Sequence, residues 1–262
     1  MDLAGRPVPL AIEHAVAVIT FNRPHVLNAI DAQTAQALAE AIGHVARDGT
    51  VRALLLRGEG RAFCAGGDVA RFLEGDPTAA IEAIIDPLHA ALRDLDALKL
   101  PTLAAVHGPV AGAGFSLAMA CDLCIAAENA VFTMAYSRIG ISPDGSSTYR
   151  LPRLVGERKA LELAMLAEPV DAAGAQALGL VNRVVPDADL AQEAMSLARR
   201  LAEGPTAAYA RIKHLVGHSL ANDLSTQLDL EREAFLAGTR TADFREGAEA
   251  FLAKRPPRFE GR

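Results

Sequence analysis

With 262 residues, the chain is long enough to bury a large core as one big domain or as one domain with an appendage. Apolar residues make up 51% of it, which excludes global disorder, and a formal net charge of -6 without a basic run argues against binding to duplex nucleic acid. The apolar stretches are interrupted before the ~18 to 20 residues that a membrane span needs, and no basic segment precedes an apolar one at the N-terminus. We therefore predict a cytoplasmic protein with no membrane span and no nucleic-acid partner.

The first part of the chain alternates predicted strands with predicted helices. Five β-rich runs bounded by Gly, Pro or Asn are predicted as strands. They are residues 16–21, 53–57, 102–106, 123–126 and 131–133. Amphipathic helices are predicted between them, because apolar residues recur at i, i+3, i+4 and i+7 from Leu38 and from Ile81. This alternation predicts an α/β core over residues 1–190.

After Val185 the pattern becomes helical. Apolar residues repeat at helical spacing from Leu190 to Leu201, Pro205 is placed to open the next helix, and two more helices are predicted at 225–237 and 242–253. Their Leu and Phe side chains need a surface to cover. Residues 191–262 are therefore predicted as a helical region that packs on the α/β core or on another subunit.

Three cysteines, Cys64, Cys121 and Cys124, lie in apolar or small-residue surroundings, as is typical of buried thiols in a reducing compartment. Cys121 and Cys124 form a CxxC pair, but neither a second Cys pair nor a His lies near enough in sequence to complete a metal site. We predict no metal and interpret the pair as a junction between a helix and a strand.

Two Gly-rich segments, residues 62–68 and 107–114, each follow a predicted strand. The first lacks the Lys-Ser/Thr ending of a phosphate loop, and the second lacks GxGxxG spacing. Small residues allow close backbone approach, so both segments can direct N–H groups at one ligand atom, as in an oxyanion hole. Gly114 would also lie at the positive end of an apolar helix. The alternative is that Gly112 and Gly114 only allow tight packing of a helix on a strand.

Five successive segments resemble the signatures of the crotonase-like enoyl-CoA hydratase/isomerase family. They are NRPHVLNA from residue 22, FCAGGD from residue 63, HGPVAGAGFSLAMACD from residue 107, IGISPD from residue 139 and LPRLVG from residue 151. The resemblance runs from about Val16 onward and implies an α/β fold, a crotonase-like spiral of β-β-α units with a C-terminal helical trimerisation region. It also implies an acyl-CoA thioester substrate from fatty or aromatic acid metabolism, a homotrimer or dimer of trimers, and no cofactor, since CoA is part of the substrate.

The resemblance further implies roles for individual residues. The backbone N–H groups of Ala65 and Gly114 would hold the thioester oxygen. The residues implied to contact CoA are Val26, Ala62, Ala65, Gly66, Gly67 and Asp68, together with Phe251 and Lys254, which would reach the nucleotide of a neighbouring subunit. For Phe251 the alternative is a core face of the last helix, and for Lys254 it is a solvated charge.

Family hydratases use two glutamates to add water, and neither is present in this chain. The matching positions are Ser116 and Tyr136, both expected in the substrate pocket: Ser116 would bond back to the Gly112 carbonyl, and Tyr136 would form a wall of the pocket. Asp144 remains, at the position where a subset of family isomerases carries its proton-shuttling aspartate in a Pro-Asp context. The alternative for Asp144 is helix capping or an Asx turn. We predict double-bond isomerisation with Asp144 as the catalytic acid and base.

Four histidines are candidate bases by residue type, although the sequence pairs none of them with a nucleophile. They are His25, His89, His107 and His214. His107 is interpreted as structural. Three other functions stay open: a hydratase or other lyase whose acid comes from elsewhere, a dehalogenase-like reaction with Asp144 as nucleophile, and a non-catalytic CoA-ester-binding protein. The absence of Trp argues against the dehalogenase-like reaction.

Overall fold

The computed structural model describes residues 5–262, so the first four residues of the predicted core and N-terminal segment lie outside it. The described residues form nine strands. They are β1 (Leu10–Glu13), β2 (Val16–Phe21), β3 (Ala53–Gly58), β4 (Thr102–Val106), β5 (Pro109–Ala111), β6 (Leu123–Ala127), β7 (Val131–Thr133), β8 (Val170–Asp171) and β9 (Arg183–Val185).

Eleven α-helices lie between and after the strands. They are α1 (Ala32–Arg47), α2 (Val69–Phe72), α3 (Pro77–Ala97), α4 (Ala113–Ala120), α5 (Ser147–Val155), α6 (Glu157–Leu166), α7 (Ala172–Ala177), α8 (Leu190–Ala202), α9 (Thr206–His218), α10 (Leu224–Gly238) and α11 (Ala242–Leu252). None of the helices in residues 5–262 is long and apolar enough to cross a membrane.

The strands form a large sheet in the order β1-β2-β3-β4-β6-β9 and a small one in the order β5-β7-β8. In the large sheet β1 and β2 pair antiparallel, and every later neighbour pairs parallel. Parallel strands that are covered on both faces read as continuous apolar runs, and β2 and β4 are buried along their whole length. The predicted α/β class is confirmed.

Each face of the large sheet is covered by helices. On one face, α1 and α3 bury Leu38, Ile42, Leu88 and Leu92 in the main core. On the other face, Leu190, Ala194, Ala198 and Ala202 of α8 pack against Val16, Leu55, Leu103 and Ile125. Helix α8 is thus a layer of the core, although the predicted boundary after residue 190 stays a prediction.

Helices α9 and α10 bury none of their residues completely in the single chain. Their large apolar side chains, Val216, Leu224, Leu228 and Phe235 among them, are exposed. Lys213 ties α9 to the core, because its Nζ lies 2.8 Å from an oxygen of Asp122. That another subunit covers these helices stays a prediction.

Candidate active site

The first Gly-rich segment runs between the Asn28–Ile30 region and β5. Ile30 N–H donates to the Gly66 carbonyl at 2.8 Å on one side, and Ala111 N–H donates to the Cys64 carbonyl at 3.0 Å on the other. Helix α4 then begins directly after β5. A Cβ on Gly114 would lie 2.2 Å from the Cys64 carbonyl oxygen, so this close approach requires glycine. The two Gly-rich segments therefore meet, as predicted.

The N–H of Ala65 is occupied, because it donates to the Leu27 carbonyl at 3.0 Å. This hydrogen bond contradicts the expectation that Ala65 offers a free donor to a thioester oxygen. The sequence could not reveal it, since Leu27 and Ala65 are brought together only by the tertiary fold.

Gly67 offers the better-placed N–H in this segment. The Gly66 carbonyl points at Ile30, and in a trans peptide the N–H of the next residue points the opposite way. A Cβ on Gly66 would lie 3.0 Å from the Ala111 carbonyl oxygen and 3.5 Å from the Cα of Gly112, so the start of α4 lies beside this segment. The Gly67 N–H makes no backbone hydrogen bond within residues 5–262.

Helix α4 supplies a second set of donors at the same place. The first N–H groups of a helix have no hydrogen-bond partner within the helix. In α4 the Ser116 N–H donates to the Gly112 carbonyl at 3.0 Å, and this is the first such bond of the helix. The N–H groups of Ala113 and Gly114 precede it. They have no backbone acceptor in the described part of the chain. An oxygen bearing negative charge would be stabilised here by N–H groups and by the helix dipole.

The predicted CoA segments are fixed by an ion cluster around Arg23. Its guanidinium lies 3.0 Å from Asp31 and 3.2 Å from Asp68. The Asp68 side chain is thus engaged in holding the two segments together. Asn28 adds a hydrogen bond of 2.8 Å from its amide to the Ala62 carbonyl. Val26 is half-buried at the end of a 3₁₀ turn beside this cluster.

Phe251 and Lys254 lie apart from these segments in sequence, at the C-terminal end of α11. The Phe251 side chain is 83% exposed, so it does not form the core face considered as its alternative. The Lys254 side chain has no hydrogen-bond or ion-pair partner within residues 5–262. Their contact with a neighbouring subunit's nucleotide stays a prediction.

Asp144 pairs with a residue that the sequence did not connect to it. Its Oδ1 lies 2.6 Å from Nε2 of His89, on α3, and the two side chains are 28% and 35% exposed. The carboxylate does not cap α5, whose N-cap is Ser146 and has no side-chain cap hydrogen bond. The capping alternative for Asp144 is therefore wrong.

Three hydroxyl groups surround the backbone carbonyl of Asp144. Ser147 Oγ donates to it at 2.7 Å, Ser116 Oγ at 3.0 Å and Tyr136 OH at 3.3 Å. Ser116 Oγ also lies 2.6 Å from Ser147 Oγ and 3.1 Å from the Gly112 carbonyl oxygen, the predicted back-bond acceptor, so its single proton is shared between the Gly112 and Asp144 carbonyls. We call Ser116, Tyr136 and Ser147 the hydroxyl cluster. It anchors the Asp144 loop to α4.

All three members of the hydroxyl cluster are buried. Ser116 is only 1% exposed, and the loop lies so close that a Cβ on Gly145 would be 2.9 Å from the Ser116 Cβ. Ser116 therefore packs beneath the Asp144 loop and does not line the substrate pocket, where it was expected. Burial raises the pKa of Tyr136 to about 12, so its hydroxyl stays neutral and cannot serve as a base near neutral pH.

His107 and the three cysteines occupy structural positions. His107 Nε2 lies 2.8 Å from the Gly60 carbonyl, as expected of a structural residue. All three cysteines are free and buried, and the CxxC pair lies where α4 ends and β6 begins. Within residues 5–262 no group of His, Cys, Asp and Glu side chains is suited to hold a metal ion.

The sequence profile of the enoyl-CoA hydratase/isomerase family matches residues 11–262. A relative in Escherichia coli K12, "1,2-epoxyphenylacetyl-CoA isomerase", is 42% identical over 258 residues, covering 96% of this chain and 97% of that protein. A "probable enoyl-CoA hydratase" of Rhodobacter capsulatus is 43% identical over 255 residues, covering 96% of each chain.

A crystal structure of an enoyl-CoA hydratase from Polaromonas sp. JS666 superposes with a TM-score of 0.91 at 36% identity, covering 97% of this chain and 99% of that one. This likeness confirms the predicted crotonase-like α/β fold. Profile, relatives and structure agree over nearly the whole length of the sequence. The chain belongs to the enoyl-CoA hydratase/isomerase family.

Proposed function

We propose that this enzyme moves a double bond in an acyl-CoA thioester, with Asp144 as the proton shuttle. The observation that carries the proposal is the 2.6 Å contact between Asp144 Oδ1 and His89 Nε2, which holds a partly exposed carboxylate on the loop whose main chain is bonded to Ser116 of α4. CoA belongs to the substrate, so the reaction requires no separate cofactor.

In this mechanism the carboxylate of Asp144 removes a proton from the carbon α or γ to the thioester. The electrons move onto the thioester oxygen and form a dienolate. The N–H of Gly67 and the first-turn N–H groups of α4, including that of Gly114, stabilise the negative oxygen. Asp144 then returns its proton to the other carbon. The double bond has shifted, and no atom has been gained or lost.

The hydroxyl cluster favours isomerisation over hydration. Adding water requires one group to activate the water and another to deliver a proton, and the positions that the family resemblance matches to the two glutamates carry Ser116 and Tyr136 here. Their hydroxyls are buried and bonded to each other at 3.2 Å and to the Asp144 carbonyl. A neutral, mutually satisfied cluster lacks the second carboxylate that hydratases use.

The Escherichia coli relative is named for the isomerisation of an epoxide of phenylacetyl-CoA. That name makes aromatic acyl groups the first to try. The substrate panel should therefore contain 3-enoyl-CoA esters of several lengths, phenylacetyl-CoA derivatives and the corresponding free acids. We expect the thioesters to bind and the free acids to bind far more weakly, as calorimetry can measure.

Asp144→Asn tests the proposal, because it keeps the shape of the side chain and removes the base. We expect thioester affinity within a few-fold of the parent and isomerisation lowered by roughly 10² to 10⁴. In deuterated water the parent should incorporate deuterium at the α or γ carbon, and the variant should not. Asp94→Asn is the matched control, because Asp94 is an exposed carboxylate of α3. It should leave the rates of isomerisation and of deuterium incorporation unchanged.

The same panel separates the alternatives. Formation of a 3-hydroxyacyl-CoA by the parent would identify a hydratase. Tight binding without any exchange would identify a non-catalytic thioester-binding protein. Near-parental exchange by Asp144→Asn would exclude Asp144. The acid would then have to come from Glu74, Asp76 or Glu82, which lie just before and within the first turns of α3.

A further inference from the structure

We propose that His89 is a positioning residue for Asp144: it holds Oδ1 and thereby presents Oδ2 to the substrate. The inference deepens the proposed function and rests on it. Nothing in the local sequence of α3 suggests this role, which follows from the contact between two residues that are 55 positions apart.

The hydrogen bond leaves the two carboxylate oxygens unequal. His89 Nε2 lies 2.6 Å from Oδ1, a short distance typical of a hydrogen bond to a charged group. Oδ2 has no hydrogen-bond or ion-pair partner within residues 5–262. With Nε2–H donating to Oδ1, the oxygen left free to take a proton from carbon is Oδ2.

The helix that carries His89 is held firmly. Its neighbours on α3, Leu88 and Leu92, are buried in the main core. Leu92 also reaches the Asp144 loop, since a Cβ on Gly145 would lie 3.7 Å from the Leu92 Cδ1. Helix α3 therefore fixes the position of the His89 backbone relative to the Asp144 loop.

The Asp144 loop needs this second anchor, because its backbone is unusual. Gly145 and Ser146 both have positive φ, at 62° and 68°. A non-glycine residue in this conformation costs on the order of 1 kcal/mol and persists only where its surroundings enforce it. The hydroxyl cluster holds the main-chain carbonyl of Asp144, and His89 holds the side chain. Both the main chain of Asp144 and the carboxylate at the end of its side chain are thus held, which restrains rotation about χ1 and χ2.

His89→Leu and His89→Gln form the decisive pair of variants. Leu removes the donor, whereas the Gln amide can replace the Nε2–H without an imidazole ring. We expect His89→Leu to lower kcat by about 10- to 100-fold with KM changed less than about threefold, because a misdirected base slows proton transfer more than binding. His89→Gln should recover most of the lost rate. His44→Leu, at an exposed histidine of α1, is the control and should match the parent.

Imidazole ¹⁵N spectra of the ligand-free protein test the contact without any turnover. The Nε2 resonance of His89 should show a hydrogen-bonded proton in the parent and should shift in Asp144→Asn. If the parent does not exchange substrate α or γ protons with deuterated water, the proposed function is wrong, whatever the spectra show. If the parent exchanges, and His89→Leu exchanges equally fast or His89→Gln is as slow as His89→Leu, the positioning role alone is overturned.

Discussion

At the scale of single residues, the candidate site combines the carboxylate of Asp144 with the neutral hydroxyl cluster that holds its loop. Asp144 could be named as a candidate from the sequence, because its Pro-Asp context lies in one short motif. His89 was not, because it is 55 residues away, and only the packing of α3 against the Asp144 loop brings the two together. The hydrogen bond from the Ala65 N–H to the Leu27 carbonyl could not be predicted for the same reason, since a sequence does not indicate which backbone groups the tertiary fold brings together.

Ser116→Glu should not convert the enzyme into a hydratase. The new carboxylate would be buried against Gly145 in a place filled by the loop, so we expect a loss of about 3 kcal/mol or more in unfolding free energy. Ser116→Ala should cost only about 1 to 2 kcal/mol, the usual effect of losing a buried hydroxyl hydrogen bond. Urea denaturation measures both. A Glu variant as stable as the Ala variant and able to hydrate an enoyl-CoA would contradict this view of the cluster.

The buried thiols should be inert in the native protein. Burial raises the pKa of Cys64 and of Cys121 to about 12, from an ordinary value of 9.0, and raises that of Cys124 as well. Thiolate is the reactive form, so Ellman's reagent at pH 8 should label none of them until denaturant is added, when three should react.

These thiols also give the fold an alkaline limit. Above pH 9 the unfolded chain releases thiol protons that the folded chain still binds, so their contribution to stability is complete below pH 9 and is lost as the pH rises toward 12. Cys64→Ala should flatten the decline of unfolding free energy between pH 8 and pH 10. Labelling of a thiol at pH 8 in folded protein would show that a cysteine is accessible.

At the scale of elements, the strands of five or six residues were predicted well, and among the shorter ones only β7 was. The run 16–21 coincides with β2, and 102–106 with β4, because long apolar stretches identify buried parallel strands. Strands β1, β5, β8 and β9 have two to four residues, too few to display a period, and were not predicted. Strand β5 matters most, since it pairs with the Cys64 region and places α4 beside the first Gly-rich segment.

Gly114→Ala should damage the junction between the two Gly-rich segments. The added methyl group would lie 2.2 Å from the Cys64 carbonyl oxygen, so α4 must move away from the Gly67 N–H. We expect kcat/KM for isomerisation to fall by about 10² or more, the usual effect of losing an oxyanion donor.

Gly49→Ala is the control, because a Cβ there would meet no atom within 4 Å. It should retain the parental kcat/KM. If Gly114→Ala also kept activity within about threefold of the parent, the oxyanion would have to bind elsewhere.

At the scale of the whole molecule, the C-terminal helices present apolar side chains that the single chain does not cover. We expect a homotrimer or a dimer of trimers, because such faces on α9 to α11 would otherwise remain in water. Light scattering at micromolar concentration measures the assembly. A strictly monomeric parent would contradict it and would remove the cross-subunit role of Phe251 and Lys254.

Phe235→Asp, at a 73% exposed position of α10, should shift the assembly toward monomers. Leu73→Asp is the matched control, since Leu73 is 76% exposed and lies outside the C-terminal helices. It should leave the assembly intact. Equal masses for Phe235→Asp and the parent would place the contact on another surface.

The covering of the large sheet by α8 has a consequence for the nascent chain on the ribosome. Strands β2, β3, β4 and β6 leave the exit tunnel first, and their outward residues Val16, Leu55, Leu103 and Ile125 have no cover until Leu190–Ala202 has followed. Translation proceeds at roughly 5 to 20 residues per second, so this apolar face is open to water for several seconds. During that interval it is the surface that a ribosome-associated chaperone would bind.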